Sequence, residues 1–192
     1  MTTPAQPIGR VMLKNARLAF PNLFTPATVN GEGEPRYGAS FLIPPDHPQI
    51  AEIKKAMQAV AKEKWKDKAP EVYKQLDKTD KLALHDGDNK ASYDGFPGCL
   101  YIAAAAQKAN RPTVLAKDRS PLTESDGVVY AGCYVNASIE FWAQDNKFGK
   151  RVNAQLRGVQ FDHDGDAFSA GRPADADEFD EVSAGADASD FG

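Results

Sequence analysis

The stretch Tyr130-Ala-Gly-Cys-Tyr-Val-Asn-Ala-Ser-Ile-Glu-Phe-Trp142 alternates with a period of two, which predicts a β-strand with one buried face. Its odd-numbered positions form an unbroken apolar row that we expect to face the core: Ala131, Cys133, Val135, Ala137, Ile139 and Phe141. The opposite row is polar but also carries three large aromatic rings, Tyr130, Tyr134 and Trp142.

These three rings need a partner, because water gains nothing from an exposed aromatic surface. Single-stranded nucleic acid fits, since every base offers a flat face and stacking contributes about 1–3 kcal/mol per base. A second structural layer, either a helix or a subunit interface, would also cover the rings. The strand alone leaves both interpretations open.

The next segment favours nucleic acid. Between two predicted strands, Asp145–Arg151 combines the cations Lys147, Lys150 and Arg151 with Phe148, as a loop contacting phosphates and bases would. An ordinary hairpin tip with surface lysines has the same composition. Lower-ranked contact candidates lie elsewhere in the chain: Arg36, Tyr101, Lys108 and Arg111.

The rest of the chain predicts a mainly β domain with one helical insertion. Strands are expected at Val11–Phe20, Arg36–Ile43, Cys99–Ala106, Thr113–Ala116, Val128–Ala143 and Arg151–Phe161, and a turn-rich segment over residues 25–35 joins the first two.

The helix is predicted to begin after Asp46, which would cap it together with Gln49 in a capping box, and Pro48 falls in its first turn. Pro70 should end this helix, and residues 71–76 add a short second turn. Apolar residues recur at helical spacing and form one stripe that packs on a sheet: Ile50, Ile53, Met57, Val60, Ala61 and Trp65.

Charge divides the chain in two. Residues 1–160 hold 22 Lys/Arg and 17 Asp/Glu, a net charge of +5, whereas residues 161–192 hold ten Asp/Glu and only Arg172, a net charge of −9. We therefore predict one domain over residues 1–160 and a disordered acidic tail over residues 161–192. A solubilising tail and a tail that binds a partner both fit this composition.

The remaining composition limits the class of protein. No apolar stretch approaches the length of a membrane span, so we expect a soluble intracellular protein without membrane contact. Cys99 and Cys133 are predicted to be free thiols. Phosphate-binding and zinc-protease motifs are absent from the sequence, and the three histidines are far apart. We expect no catalytic residues, metal site or cofactor.

Several short motifs occur in the order found in one known family. They are Leu18-Ala-Phe20-Pro21-Asn-Leu23-Phe24, Tyr37-Gly-Ala-Ser40, Asp86-Gly-Asp88, Tyr93-Asp-Gly95, Arg111-Pro112, Tyr130-Ala-Gly-Cys-Tyr-Val-Asn136-Ala and Gly158-Val-Gln160. From about Val11 to Phe161 the chain resembles the tailed-phage single-stranded DNA-binding proteins, formerly filed as a domain of unknown function.

This resemblance implies an OB-fold, a small Greek-key barrel that binds single strands across one sheet face. It also implies contact roles for Tyr130, Tyr134 and Trp142, and a cytoplasmic role in phage DNA replication or recombination in the infected host cell. The tail end Asp190-Phe191-Gly192 is similar to the acidic, Phe-containing tips of other replication single-strand binders. Phe179, which is also flanked by acidic residues, is a second candidate for binding a partner. The alternative is a protein–protein adaptor or structural protein whose aromatic strand face is a subunit interface. The oligomeric state stays open.

Overall fold

The computed structural model describes residues 6–29 and 31–168. Its strands are β1 (Arg10–Val29), β2 (Glu32–Ile43), β3 (Leu84–Asp86), β4 (Leu100–Gln107), β5 (Thr113–Leu115), β6 (Tyr134–Asn146) and β7 (Gly149–His163). Its α-helices are α1 (Ile50–Trp65) and α2 (Ala69–Lys78), and short 3₁₀ turns occupy Lys66–Lys68, Gly87–Lys90 and Glu124–Asp126.

The seven strands form one sheet in the order β3-β4-β2-β1-β6-β7-β5. An additional parallel pairing of β4 with β7, at Ala105 and Gln155, brings distant parts of the sheet together and closes a barrel. The prediction of a mainly β, OB-like barrel with a helical insertion is therefore confirmed. Among the described residues, no helix is long and apolar enough to cross a membrane.

The barrel interior is filled by the row that the alternation of β6 predicted. Cys133, Val135, Ala137, Ile139 and Phe141 are at most 2% exposed. Both cysteines are free, as expected.

The start of this strand was predicted too early. Residues 128–133 are not a strand, because Gly132 turns the chain with φ +107° and its amide donates to the Leu18 carbonyl at 2.8 Å. Ala131 is consequently only half-buried, outside the core row.

The helical insertion lies on the barrel. The buried stripe of α1 is confirmed, and the helix packs against β1, β6 and β7. The predicted Asp46 cap is wrong: Gln49 occupies the cap position, its amide donates to His47 Nδ1 at 3.1 Å, and Pro48 precedes the helix. Pro70 does not end α1. Instead it lies in the first turn of α2, where its missing N–H costs nothing.

Two further boundaries differ from the sequence prediction. The segment predicted as a turn-rich connection is largely strand, since β1 runs to Val29 and β2 begins at Glu32, with bulges absorbing the irregular register. The folded body also continues beyond residue 160. β7 runs to His163, and Phe168 is buried with Leu42 and Phe96. Of the predicted acidic tail, residues 169–192 lie outside the described residues.

Candidate nucleic-acid interface

A groove of about 730 Å³ lies between the β6–β7 hairpin and the outer face of β2 and β4. We call it the hairpin groove. Ala103 and Ala105 of β4 point outward and form part of its lining, as do Arg36, Trp142, Phe148 and Arg151. Because alanine side chains are short, a ligand can approach the sheet closely between the larger residues around it.

The hairpin owes its shape to local sequence. Only Lys147 and Phe148 separate the two strands, and Asn146 Oδ1 accepts a hydrogen bond of 2.9 Å from the Phe148 amide. Gly149 follows with φ +104°, a conformation that side chains disfavour. This tight turn leaves the Phe148 ring 76% exposed at the tip.

The other face of the hairpin is anchored to the helices. Trp65, at the end of α1, donates from Nε1 to Asp145 Oδ2 at 2.9 Å. The Val152 amide donates to the Lys81 carbonyl, just beyond α2, at 3.0 Å. The inserted helices thus hold the hairpin in place beside the barrel.

The face of the hairpin towards the groove presents rings, amides and a cation. Trp142 is opposite Asn153 and Gln144 is opposite Arg151 in the antiparallel register. Asn153 Nδ2 donates to Gln144 Oε1 at 2.9 Å, so a hydrogen-bonded amide pair lies between Trp142 and Arg151 on this face. Trp142 is 45% exposed and offers a large flat surface for stacking.

The groove cations are available to a ligand. Arg36 and Arg151 are exposed, and neither has an ion-pair partner among the described residues. By contrast, Arg10 and Arg157 both bind Glu140, at 3.3 and 3.0 Å. Two unneutralised guanidinium groups in one groove favour an anionic ligand such as phosphate.

The predicted contact loop divides between two faces. Phe148 and Arg151 line the hairpin groove. Lys150 is opposite Asp145 in the strand register and lies on the other face of the hairpin. The Lys147 ammonium lies 5.1 Å from the centre of the Phe148 ring, at the tip. Both lysines are exposed.

Lys108 and Arg111 lie near the groove without lining it. They are exposed on either side of Asn110, which does line the groove. Arg36, which is paired with Gln107 of β4, lies beside this segment. Arg36, Lys108 and Arg111, predicted from two separate parts of the chain, therefore lie close together beside the groove.

Tyr134 does not join the hairpin groove. It lies eight residues from Trp142 along β6, roughly 26 Å away. Its ring stacks on His163 with centroids 4.4 Å apart, and the Arg17 guanidinium is 5.7 Å from its centre. The aromatic row predicted as one surface is therefore split between the two ends of β6.

Two other predicted rings are already engaged within the fold. The Tyr130 hydroxyl donates to Asp164 Oδ1 at 2.9 Å, and burial, followed by this hydrogen bond, raises its pKa. Tyr101 is only 7% exposed and packs against Phe96 and His85. The segment around Phe96 covers the outward-facing ring of Tyr101, so this ring is not an exposed stacking surface, unlike Trp142.

Sequence reasoning missed a second group of exposed rings. Phe20 and Tyr93 are 41% and 48% exposed and meet edge to face with centroids 5.0 Å apart. Both belong to the motifs that carry the family resemblance, so their position in Leu18-Ala-Phe20-Pro21 and Tyr93-Asp-Gly95 was the available signal.

In the described ranges, 6–29 and 31–168, no group of three His, Cys, Asp or Glu side chains is placed to hold a metal ion. The predicted tail contacts Phe179, Asp190 and Phe191 lie outside those ranges.

Comparison with known proteins gives consistent results. Residues 9–191 match the family model described as Enterobacter phage Enc34, ssDNA-binding protein. The putative protein p50 of Acyrthosiphon pisum secondary endosymbiont phage 1 is 47% identical over 177 residues, covering 91% of this chain and 94% of that protein.

Solved structures agree with this match. The single-stranded DNA-binding protein from bacteriophage Enc34, in complex with ssDNA, is 29% identical with a TM-score of 0.68, and the match covers 84% of this chain and 90% of that one. The single-stranded DNA-binding protein gp2.5 of bacteriophage T7 shares the fold at 13% identity, with a TM-score of 0.56, and the match covers 90% of this chain and 98% of that one.

Proposed function

Because this chain belongs to the family of the Enterobacter phage Enc34 ssDNA-binding protein, we propose that it binds single-stranded DNA, with little sequence preference, in the hairpin groove. The observation that carries this proposal is the convergence of Trp142, Phe148, Arg36 and Arg151 on one groove whose outward-facing alanines leave room for a strand.

Each part of the groove has a physical role in this proposal. Bases stack on Trp142 and Phe148, and each stack contributes about 1–3 kcal/mol whatever the base. Arg36 and Arg151 neutralise phosphates, with Lys108, Arg111 and Lys147 nearby adding to the positive potential. The amides of Gln144 and Asn153 offer both donors and acceptors, so they tolerate any base.

Duplex DNA should bind much more weakly, because paired bases hide their faces inside the stack. Single-stranded DNA is the ligand we propose, and RNA is the comparison that measures the groove's response to the 2′-hydroxyl.

The intrinsic fluorescence of the protein provides the test. Trp65 is 9% exposed and hydrogen-bonded to Asp145, so it supplies a constant background, whereas Trp142 faces the groove. Adding oligo-dT should quench the Trp142 signal, and Trp142→Phe should abolish most of the quenching. Equal affinities for duplex and single strand would contradict the proposal, and an unresponsive Trp142 would favour an adaptor whose rings meet another protein.

The same titration at two salt concentrations measures the phosphate contribution. The logarithm of affinity should fall with the logarithm of salt at a slope of about −0.7 per neutralised phosphate. With two arginines in the groove and three cations beside it, we expect a shallow slope.

In the infected cell we propose that the protein covers single strands produced during replication or recombination, and that Phe179, Asp190 and Phe191 of the acidic tail bind another replication protein. An apolar pocket rimmed by Lys or Arg would recognise such a segment.

A further inference from the structure

A second aromatic surface lies on the same outer side of the sheet as the hairpin groove. Phe20, Tyr93 and Phe96, which we call the Phe20 cluster, line a depression of about 450 Å³ together with Tyr130 and Phe168. Phe20 is 41% and Tyr93 48% exposed, so both rings present edges and faces to solvent.

The backbone at Phe20 is held in an unusual conformation. Phe20 has φ +49° within β1, where the pairing with β2 shifts register between Ala19 and Asn22. A positive φ is a genuine outlier for a bulky residue, and such residues occur preferentially at ligand sites. The surrounding strands thus hold an exposed ring in a position that relaxed strand geometry would not give.

A band of small residues connects the Phe20 cluster with the hairpin groove. On the outer face of β1, β2 and β4, Ala19 is paired with Ser40, Ser40 with Ala103, and Gly38 with Ala105. Ala19 and Ser40 are buried beside the Phe20 cluster, Gly38 and Ala105 are half-buried, and Ala103 is exposed. On β4 the groove begins at Ala103, and Tyr101, two residues before it, contacts the Phe20 cluster through Phe96, with ring centroids 5.2 Å apart.

Two cations lie beside the rings of this surface. The Lys90 ammonium lies 5.1 Å from the centre of the Tyr101 ring and 6.0 Å from that of Phe96. The Arg17 guanidinium lies 4.4 Å from the centre of the Phe168 ring. A strand whose bases stack on the exposed rings would find positive charge beside its phosphates.

We infer that a single strand in the hairpin groove continues over this band of small residues and stacks its next bases on Phe20 and Tyr93. This inference rests on the proposed function, which it extends to a longer binding path. From Tyr101, which contacts Phe96, to Gln107, which lines the groove, β4 spans six residue steps, roughly 20 Å, so the path needs several nucleotides.

The length of the DNA separates the two surfaces in an experiment. Affinities for oligo-dT of about four and about sixteen nucleotides, the limits for OB-folds, are measured for the full chain and its variants. Phe20→Leu and Tyr93→Leu keep apolar volume but remove the aromatic ring. Met12→Leu is the matched control, because Met12 is 46% exposed on β1 but is paired with Ser138 of β6, away from the band.

Phe20→Leu and Tyr93→Leu should each lower the affinity for the long oligonucleotide about tenfold and leave the affinity for the short one unchanged. Trp142→Ala should lower the affinity for both lengths. Met12→Leu should change neither. Melting curves of all variants accompany the titrations.

Unchanged binding of the long oligonucleotide by Phe20→Leu and Tyr93→Leu would overturn the inference while leaving the hairpin groove intact. Equal losses on both lengths together with a lower melting temperature would reveal a purely structural role and also overturn it. If Phe20→Leu and Tyr93→Leu bound the long oligonucleotide more tightly than wild type at low salt, the Phe20 cluster would hold the acidic tail instead of DNA, and the inference would be overturned. A wild-type chain that binds no oligo-dT would overturn this inference and the proposed function together.

Discussion

At the scale of single residues, neighbours on β6 should respond to truncation in opposite ways. Trp142→Ala should cost about 1–3 kcal/mol of DNA binding with little effect on folding, since the ring is 45% exposed. Ile139→Ala or Phe141→Ala should cost about 2–5 kcal/mol of unfolding free energy through the cavity it leaves. Chemical denaturation and oligo-dT titration of the same variants measure both effects. A Trp142→Ala protein that unfolds far below wild type would show that the ring belongs to the core.

A second residue-scale prediction concerns alkaline stability. Burial, and to a lesser extent the charge of Asp77, raise the pKa of Tyr73 from 10.0 to about 12. The unfolded chain therefore releases the tyrosine proton at lower pH than the folded chain, and stability should fall as pH rises from about 10 to about 12. Tyr73→Phe should flatten the urea-midpoint profile over this range. An equally steep profile in the variant would assign the alkaline loss to other groups.

Single residues also explain why the core-facing row of β6 could be predicted from the sequence and that of β1 could not. The core row of β6 was predictable because a strand without bulges keeps its alternation. β1 was not, because Asn15 and Phe20 both have positive φ and each shifts the phase of the strand. The core side of β1 moves from Leu13 to Ala16, and Phe20 emerges as a surface ring. Period-two patterns do not reveal these shifts.

At the scale of elements, the β6–β7 hairpin predicts unequal roles for adjacent cations. Arg151→Gln should weaken DNA binding and reduce the magnitude of the salt slope by about 0.7, since one phosphate contact is lost. Lys150→Gln is the matched control with the same charge change, and it should have a smaller effect because Lys150 lies on the opposite face of the hairpin. Binding isotherms at several salt concentrations measure both. Equal slopes for the two variants would mean that charge alone, without position, governs binding.

The spacing of residues in the hairpin sequence could not predict which of its side chains face the groove. The mixture of Lys147, Phe148, Lys150 and Arg151 indicated a contact loop, but which side chains share a face depends on the register around a two-residue turn. The opposing wall, with Arg36 and Ala105, comes from strands more than forty residues away along the chain. Only closure of the barrel brings these walls together.

At the scale of the whole molecule, the charge asymmetry predicts competition between tail and DNA. Residues 169–192 hold seven Asp/Glu and Arg172, a net charge of −6. Charges tethered to the body reach local concentrations on the order of millimolar, and salt screens their attraction to the groove. Removing residues 171–192 should tighten oligo-dT binding severalfold at low salt and change it little at high salt. Identical titration curves for intact and shortened protein at low salt would exclude the competition.

Partner binding by the tail is tested separately. Phe191→Ala removes the terminal ring without altering the charge, so it should reduce tail-dependent capture of replication proteins from infected-cell extract. Phe179→Ala tests the other ring, and capture that is indifferent to both substitutions would leave the tail with a solubilising role.

The barrel is closed by one parallel Cα pair, Ala105 with Gln155, and both residues line the hairpin groove. This short β4–β7 pairing should open locally more readily than the long β6–β7 ladder, so its backbone amides should exchange with deuterium early. Single-stranded DNA in the groove would contact both sides of this pairing. DNA should therefore slow amide exchange there, and the melting temperature should rise as the DNA concentration increases. The part of the barrel that binds DNA should therefore also be its least rigid part, and bound DNA should stabilise the closure of the barrel.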